Sequence, residues 1–197
     1  MNRRERKKEL TKDNIIECAA ALFKEKGFNE TSMEEIAEKA DISKGTLYNY
    51  FEDKEAIVGE YFKSNIADYS EDFKESFKEY KDIKNQLEKI IDFMNSLLRS
   101  NVELSKAYLS YRTKTIFSDK AFEDSNRSGL EGLILQVIKQ GQENKELRND
   151  IPLVIMARNL MFLYMNFFIS SIYGKESFET ETIKKQLVEL FLNGARN

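Results

Sequence analysis

The sequence predicts an all-α protein, and three observations carry that prediction. Proline occurs once and glycine eight times in 197 residues, so chain breakers are scarce. Lys, Glu and Leu, all good helix formers, are plentiful in a composition that is 41% hydrophobic and 33% charged. Apolar residues recur at helical spacing through most of the chain, and no convincing strand pattern interrupts them. A chain of this length holds either one good core or a small domain joined to a larger one.

Taken in order, Thr11 can cap a first helix whose apolar residues Ile15, Ala19, Leu22 and Phe23 share a face, and Gly27 stands where a helix C-terminus favours glycine. That helix is expected at about residues 11–26. The segment TSMEEIAEKA carries two overlapping capping-box patterns, Thr31 with Glu34 and Ser32 with Glu35, ahead of Met33, Ile36, Ala37 and Ala40. It predicts a second, short helix at about 33–40. Asp41 and Ile42 make a tight connection, and Ser43 is a good N-cap for a third helix ending near Phe51. After Glu52-Asp53 a long helix starts at about Lys54, with Ile57, Tyr61, Phe62, Ile66, Tyr69, Phe73 and Phe77 at helical spacing. Further helices are expected at about 83–100, 103–115, 119–145, 152–173 and 180–194, which brings the count to nine.

Composition excludes several classes of function. One cysteine rules out an internal disulfide framework, and the complete lack of histidine removes the usual zinc constellations and the commonest general base. Cys18 lies on the apolar side of the first helix, which favours an inert core thiol over a redox sensor. No apolar segment follows the basic MNRRERKKEL as a signal peptide would require, and the uncharged run 159–174 is shorter than the roughly 20 residues of a spanning helix. A cytoplasmic protein without membrane segments is expected. Carboxylates are numerous but lie on charged helix faces, with no nucleophile–base pair, phosphate-binding glycine loop or metal spacing, so no catalytic residue, metal ligand or cofactor is expected. A net charge of −3 gives no polybasic signature; any nucleic-acid contact must come from a local surface.

Such a surface is legible in residues 42–55, ISKGTLYNYFEDKE. The second and third helices, joined by about three residues, form a helix-turn-helix plan with Ala37, Ala40, Ile42, Leu47 and Phe51 inward. Lys44, Thr46, Tyr48, Asn49 and Tyr50 are then distributed over the remaining surface, where most can donate a hydrogen bond. Gly45 in the first turn costs about 1 kcal/mol relative to alanine, yet lets a backbone N–H approach a phosphate. A capped helix packed on a small three-helix module, with tyrosines as amphipathic surface, is the plainer alternative.

The whole pattern resembles the DNA-binding domain of TetR-family transcriptional regulators. The resemblance runs from about residue 9 to 62 and rests on Ala-x-x-Leu-Phe and Lys-Gly-Phe in the first helix, Thr31, Ile36-Ala37, Ala40 and ISKGTLYNYFEDKE. One departure is Asp41, where the family has glycine; aspartate tolerates the left-handed turn. The resemblance implies an N-terminal helix-turn-helix domain at 1–53 and an effector-binding and dimerisation domain at 54–197. It implies that the third helix enters the major groove of double-stranded operator DNA, with Ser32, Ser43, Lys44, Gly45, Thr46, Tyr48, Asn49 and Tyr50 at bases or phosphates and Thr31 and Lys54 clamping the backbone. Tyr48 and Tyr50 equally suit partial packing. Arg3, Arg4, Arg6, Lys7 and Lys8 either track phosphates or form a solvated tail.

Beyond that domain, residues 151–173 carry a single charged side chain, Arg158, so this helix must be covered on more than one face, by its own lobe and by another subunit. Ile183, Leu187, Leu190 and Phe191 form a stripe suited to join it in an intersubunit four-helix bundle. Leu160, Tyr164, Phe168, Leu187 and Phe191 are the expected interface of a homodimer, which the family forms and a two-fold operator requires. Aromatic and methionine residues crowd the same lobe and read first as core. The resemblance implies a cavity for a small, largely apolar effector among them, with Tyr108, Tyr111, Arg112, Phe122, Asn159, Phe162 and Asn166 as candidate lining. The implied function is a ligand-responsive DNA-binding regulator, a repressor by family default; the alternative is a helical protein-binding adaptor without DNA binding.

Overall fold

The structure is a computed structural model that describes residues 2–77, 82–116, 129–173 and 179–196. Nine α-helices lie in these residues: α1 Arg3–Lys26, α2 Met33–Lys39, α3 Lys44–Tyr50, α4 Lys54–Phe77, α5 Ile83–Arg99, α6 Val102–Ile116, α7 Gly129–Glu143, α8 Leu153–Tyr173 and α9 Thr180–Ala195. Strands are absent among the described residues, as the sequence predicts; an isolated antiparallel bridge joins Leu147 to Arg196. Two compact units emerge, one of Met1–Ile66 with Leu98–Asn126, the other of Ala67–Leu97 with Arg127–Asn197.

In the first unit, α1 starts eight residues before the expected position. Asn2 and Glu5 form a reciprocal capping box, and Arg, Lys, Glu and Leu propagate the helix without any apolar face to announce it. Thr11 is therefore an interior residue whose hydroxyl donates to the Lys7 carbonyl at 2.9 Å, and the basic residues 3–8 are helical rather than a free arm. Ile15, Ala19 and Phe23 of α1, Ile36 and Ala37 of α2, Leu47 of α3 and Ile57, Val58 and Phe62 of α4 are buried. Each such side chain contributes roughly 1.5–3 kcal/mol by leaving water, less for the alanines. α6 belongs to this unit: Tyr108 stacks on Phe62 with centroids 4.5 Å apart, and Tyr111 lies where a Cβ on Gly59 would meet ring carbon at 2.3 Å. Only glycine at 59 allows α4 and α6 to meet this way.

The second unit is organised around α8, which packs on α7 and α9. Leu160, Tyr164 and Phe168 of α8 are fully or almost fully buried, and Leu187 and Phe191 of α9 are buried as well. The five side chains expected at a dimer interface are thus buried within their own chain, on the α8 and α9 faces that turn inward. The outward side of α8 instead runs through Ile155, Asn159, Phe162, Asn166 and Ile169, with Phe162 55% exposed, and Leu190 of α9 is 61% exposed. By length and composition α8 is apolar enough to cross a membrane, but a third of that stretch is buried against its neighbours and two asparagines interrupt its outer side.

Candidate nucleic-acid interface

α2 and α3 are short, seven residues each, so their ends rather than their length define them. At α2 the second of the two capping boxes is the one that forms. The Glu35 N–H donates to Ser32 Oγ at 3.2 Å and the Ser32 N–H to Glu35 Oε2 at 2.8 Å. Lys26 donates to the same carboxylate, and together with the N–H and the hydroxyl of Ser32, which both donate to Oε2, it holds the Glu35 carboxyl down at about 2. Thr31 is 2% exposed, and its hydroxyl donates to the Gly27 carbonyl at 2.8 Å. Through that bond Thr31 shapes the loop ahead of α2.

Lys54 lies within the same loop. Its ammonium donates to the carbonyls of Phe28, Asn29 and Thr31 at 2.7, 3.3 and 2.6 Å and lies 4.6 Å from the centroid of the Phe28 ring. Lys54 thereby ties the start of α4 to the α1–α2 connection. Glu103 of α6 supports that connection too, accepting the Asn29 N–H at 3.1 Å.

The turn between α2 and α3 passes through Asp41 at φ 54, the left-handed conformation that its place in the glycine position demands. Ile42 donates its N–H to the Ala37 carbonyl at 3.0 Å, and Asn14 of α1 reaches across to cap the Ala40 carbonyl at 3.1 Å. Beside it, the Cys18 thiol is 3.5 Å from the Lys39 carbonyl, and desolvation pushes it up, away from the reactive thiolate.

α3 begins at Ser43, whose Oγ accepts the Thr46 N–H at 3.1 Å and lies 2.8 Å from the Thr46 hydroxyl. Leu47, completely buried, anchors the helix, and Phe51 closes it by donating its N–H to the Leu47 carbonyl at 3.0 Å. One anchor leaves the rest of the surface outward: Ser43, Lys44, Gly45, Tyr48 and Asn49 are exposed, Thr46 and Tyr50 half-buried. A Cβ on Gly45 would find only Ser43 Oγ, at 4.0 Å, so packing within the chain gives no reason for glycine there. A seven-residue helix about 10 Å long fits a major groove roughly 12 Å wide. Its donors suit phosphate oxygens, and the Asn49 amide suits the edge of a base.

One acidic residue, Glu34, sits beside this surface. Lys44 donates to Glu34, which raises the lysine and lowers the carboxylate through that hydrogen bond, and its ammonium lies 5.9 Å from the Tyr48 centroid. Sequence reasoning passed over Glu34 in this role, and over Asn14, Lys26 and Glu103, because each acts across elements.

The candidate effector residues fall in both units. Tyr108 and Tyr111 pack on α4 in the first unit, with Arg112 half-buried on the same helix. Asn159, Phe162 and Asn166 lie on the exposed side of α8 in the second unit, and Phe122 is outside the described residues. Among the described residues no cluster of three or more Cys, Asp or Glu could hold a metal ion.

Residues 15–61 match the family model described as bacterial regulatory proteins, tetR family. Over nearly its full length the chain is similar to the fatty acid metabolism regulator protein of Bacillus subtilis, 24% identical across 93% of this chain and 94% of the relative. Among solved structures it resembles Thermus thermophilus FadR, a TetR-family transcriptional repressor in complex with lauroyl-CoA, with a TM-score of 0.77 at 24% identity over 93% of this chain and 94% of the other. The FadR of Bacillus subtilis in complex with stearoyl-CoA follows, with a TM-score of 0.62 at 21% identity over 92% of this chain and 97% of that one.

Proposed function

This chain belongs to the TetR family of bacterial regulatory proteins, a family of transcriptional regulators rather than enzymes, and we propose from that premise that it is a repressor released from its operator by a long-chain acyl-CoA. The observation that carries the DNA-binding part is α3: a capped helix fixed by one buried leucine, with Lys44, Tyr48 and Asn49 facing outward over a glycine that packing does not require. The module at residues 1–53 reads the operator, Lys44 and Tyr48 taking phosphates and Asn49 a base edge; Thr31 and Lys54 position it. The acyl-CoA part is supported by the lauroyl-CoA and stearoyl-CoA in two similar repressors and by the methionine- and aromatic-rich composition of residues 54–197.

The working form is a cytoplasmic homodimer that delivers two modules to two half-sites. Its interface is the outward side of α8 through Ile155, Phe162 and Ile169, joined by Leu190 of α9, because an unpartnered apolar stripe of this kind marks a protein contact. Effector release follows when the acyl-CoA binds the DNA-incompetent state more tightly than the competent one. The test is a mobility-shift titration against the DNA upstream of the protein's own gene, with and without lauroyl-CoA. Binding that weakens steeply with salt and is reversed by lauroyl-CoA is expected; no salt-dependent duplex binding sinks the regulator, and binding indifferent to acyl-CoAs of every length sinks the effector.

A further inference from the structure

In the apolar core of the second unit, Asn95 of α5 presents an amide that the protein satisfies on one side only. Its Oδ1 accepts the Tyr164 hydroxyl at 3.0 Å, while its Nδ2 is fully enclosed and has no hydrogen-bond partner among the described residues. Asn95 is 7% exposed and Tyr164 not exposed at all. Buried donors are almost always paired, since an unpaired one forfeits its hydration without return. The reverse orientation of the amide would turn Nδ2 toward the tyrosine oxygen and put Oδ1 in the enclosed position instead.

We propose that Asn95 is a ligand-binding residue whose Nδ2 donates a hydrogen bond to the thioester carbonyl of the bound acyl-CoA, with Tyr164 as the positioning residue that holds the amide in that orientation. The inference rests on the acyl-CoA reading given above and deepens it. Neighbouring positions on the two helices are apolar and buried, namely Ile91 and Met94 on α5 and Leu160, Phe167 and Phe168 on α8. A lone water there would need two to four polar partners, more than one amide and one hydroxyl already engaged with each other provide. An acceptor carried on a hydrocarbon chain needs only the one donor. The acceptor is neutral, because Lys184, which reaches Asp92 one turn before Asn95 on α5, is already shared by Asp92 at 2.9 Å and Glu181 at 2.9 Å. A buried carboxylate would find no free counter-charge in that pairing. A carbonyl without a proton of its own, as in a thioester, meets both requirements.

The test is calorimetric binding of lauroyl-CoA and of its thioether analogue S-dodecyl-CoA, which lacks the carbonyl, to the full-length protein, Asn95→Leu and Tyr164→Phe. The native protein should prefer the thioester by about five- to twentyfold, the usual worth of one buried hydrogen bond. Asn95→Leu, close in volume, should fold and bind both probes equally. Tyr164→Phe should retain part of the preference. A thioester preference that survives undiminished in Asn95→Leu overturns the inference and leaves the acyl-CoA reading standing. Failure of the native protein to bind either probe overturns both. Should Asn95→Leu not fold, an undiminished preference in Tyr164→Phe together with Asn95→Ser overturns the proposal, and a graded loss across them supports it.

Discussion

α3 and α8 are both helices, yet they are held by opposite means. α3 has one fully buried side chain in seven residues, and its geometry is set at its ends by the Ser43 cap, the Asp41 turn and the Phe51 closure. α8 has 21 residues and is fixed by the volume of Leu160, Tyr164 and Phe168 against its neighbours. The first arrangement leaves a surface free, because directional bonds at the termini do what side-chain packing would otherwise have to do. The second leaves no buried position open to change, since packed interiors transmit any alteration of volume or charge. A reading helix has to be built the first way and a scaffold helix the second.

The largest effect that separates the two sides of the second unit comes from a pair of charge insertions. Phe191→Asp places an unpaired carboxylate in the core of its own chain and should lower unfolding stability by about 3–5 kcal/mol. Phe162→Asp sits on the exposed α8 side and should leave melting of the monomer nearly unchanged while converting dimers to monomers. Thermal melts beside light scattering decide it. A well-folded monomeric Phe191→Asp protein would return the interface to Phe191, and a Phe162→Asp protein that stays dimeric would remove α8's outer side from it.

Within the reading module, anchor and cap should differ in the same sense. Leu47→Ala removes the only fully buried side chain of α3 and should cost about 2–5 kcal/mol. Ser43→Ala removes the cap and should cost about 1 kcal/mol. Urea unfolding measures both; equal losses would mean that α3 is held chiefly by its end and not by Leu47.

The same contrast explains what the sequence made legible. Local signals were readable: Ser32 with Glu35, Ser43, Gly27 and the position of Asp41 each act within a few residues of themselves, and the boundaries of α2 and α3 follow from them. The start of α1 was not readable, because residues 3–10 form a helix with no apolar stripe and only the Asn2–Glu5 box to announce it. The faces of α8 were not readable either. A helix apolar nearly all round gives no periodicity to tell inside from outside, so the burial of Tyr164 and Phe168 and the exposure of Phe162 could not be read from it. The tie made by Lys54 was not readable for a third reason: its three acceptors are backbone carbonyls more than twenty residues away, and no side-chain pattern records them.

The polar fixing of α2 also predicts a pH response. Glu35 titrates at about 2 in the folded chain against an ordinary value of 4.5, so its contribution is complete above about pH 4.5 and is lost as pH falls toward 2. The urea midpoint of the native protein should therefore decline over that window more steeply than that of Glu35→Gln. Parallel declines in the two proteins would show that the box and the Lys26 pairing do not stabilise α2 in solution.

The smallest expected effect concerns Lys44 and Glu34, an exposed pair that contributes little to folding and matters for DNA. In the free protein the Lys44 ammonium is held by the Glu34 carboxylate, so contact with a phosphate requires exchanging one anion for another, and the displaced carboxylate remains beside the duplex. Glu34→Gln removes both penalties. Operator affinity should rise several-fold at low salt, and the gain should shrink as salt screens the lost repulsion. Lys44→Ala should act in the other direction, lowering the magnitude of the log affinity against log salt slope by about 1. Circular dichroism should be unchanged in both. Fluorescence anisotropy titrations at several salt concentrations test the pair together: if Glu34→Gln binds no tighter at low salt while Lys44→Ala keeps the native slope, the ammonium of Lys44 is not a phosphate ligand, and the reading surface of α3 contracts to Tyr48 and Asn49.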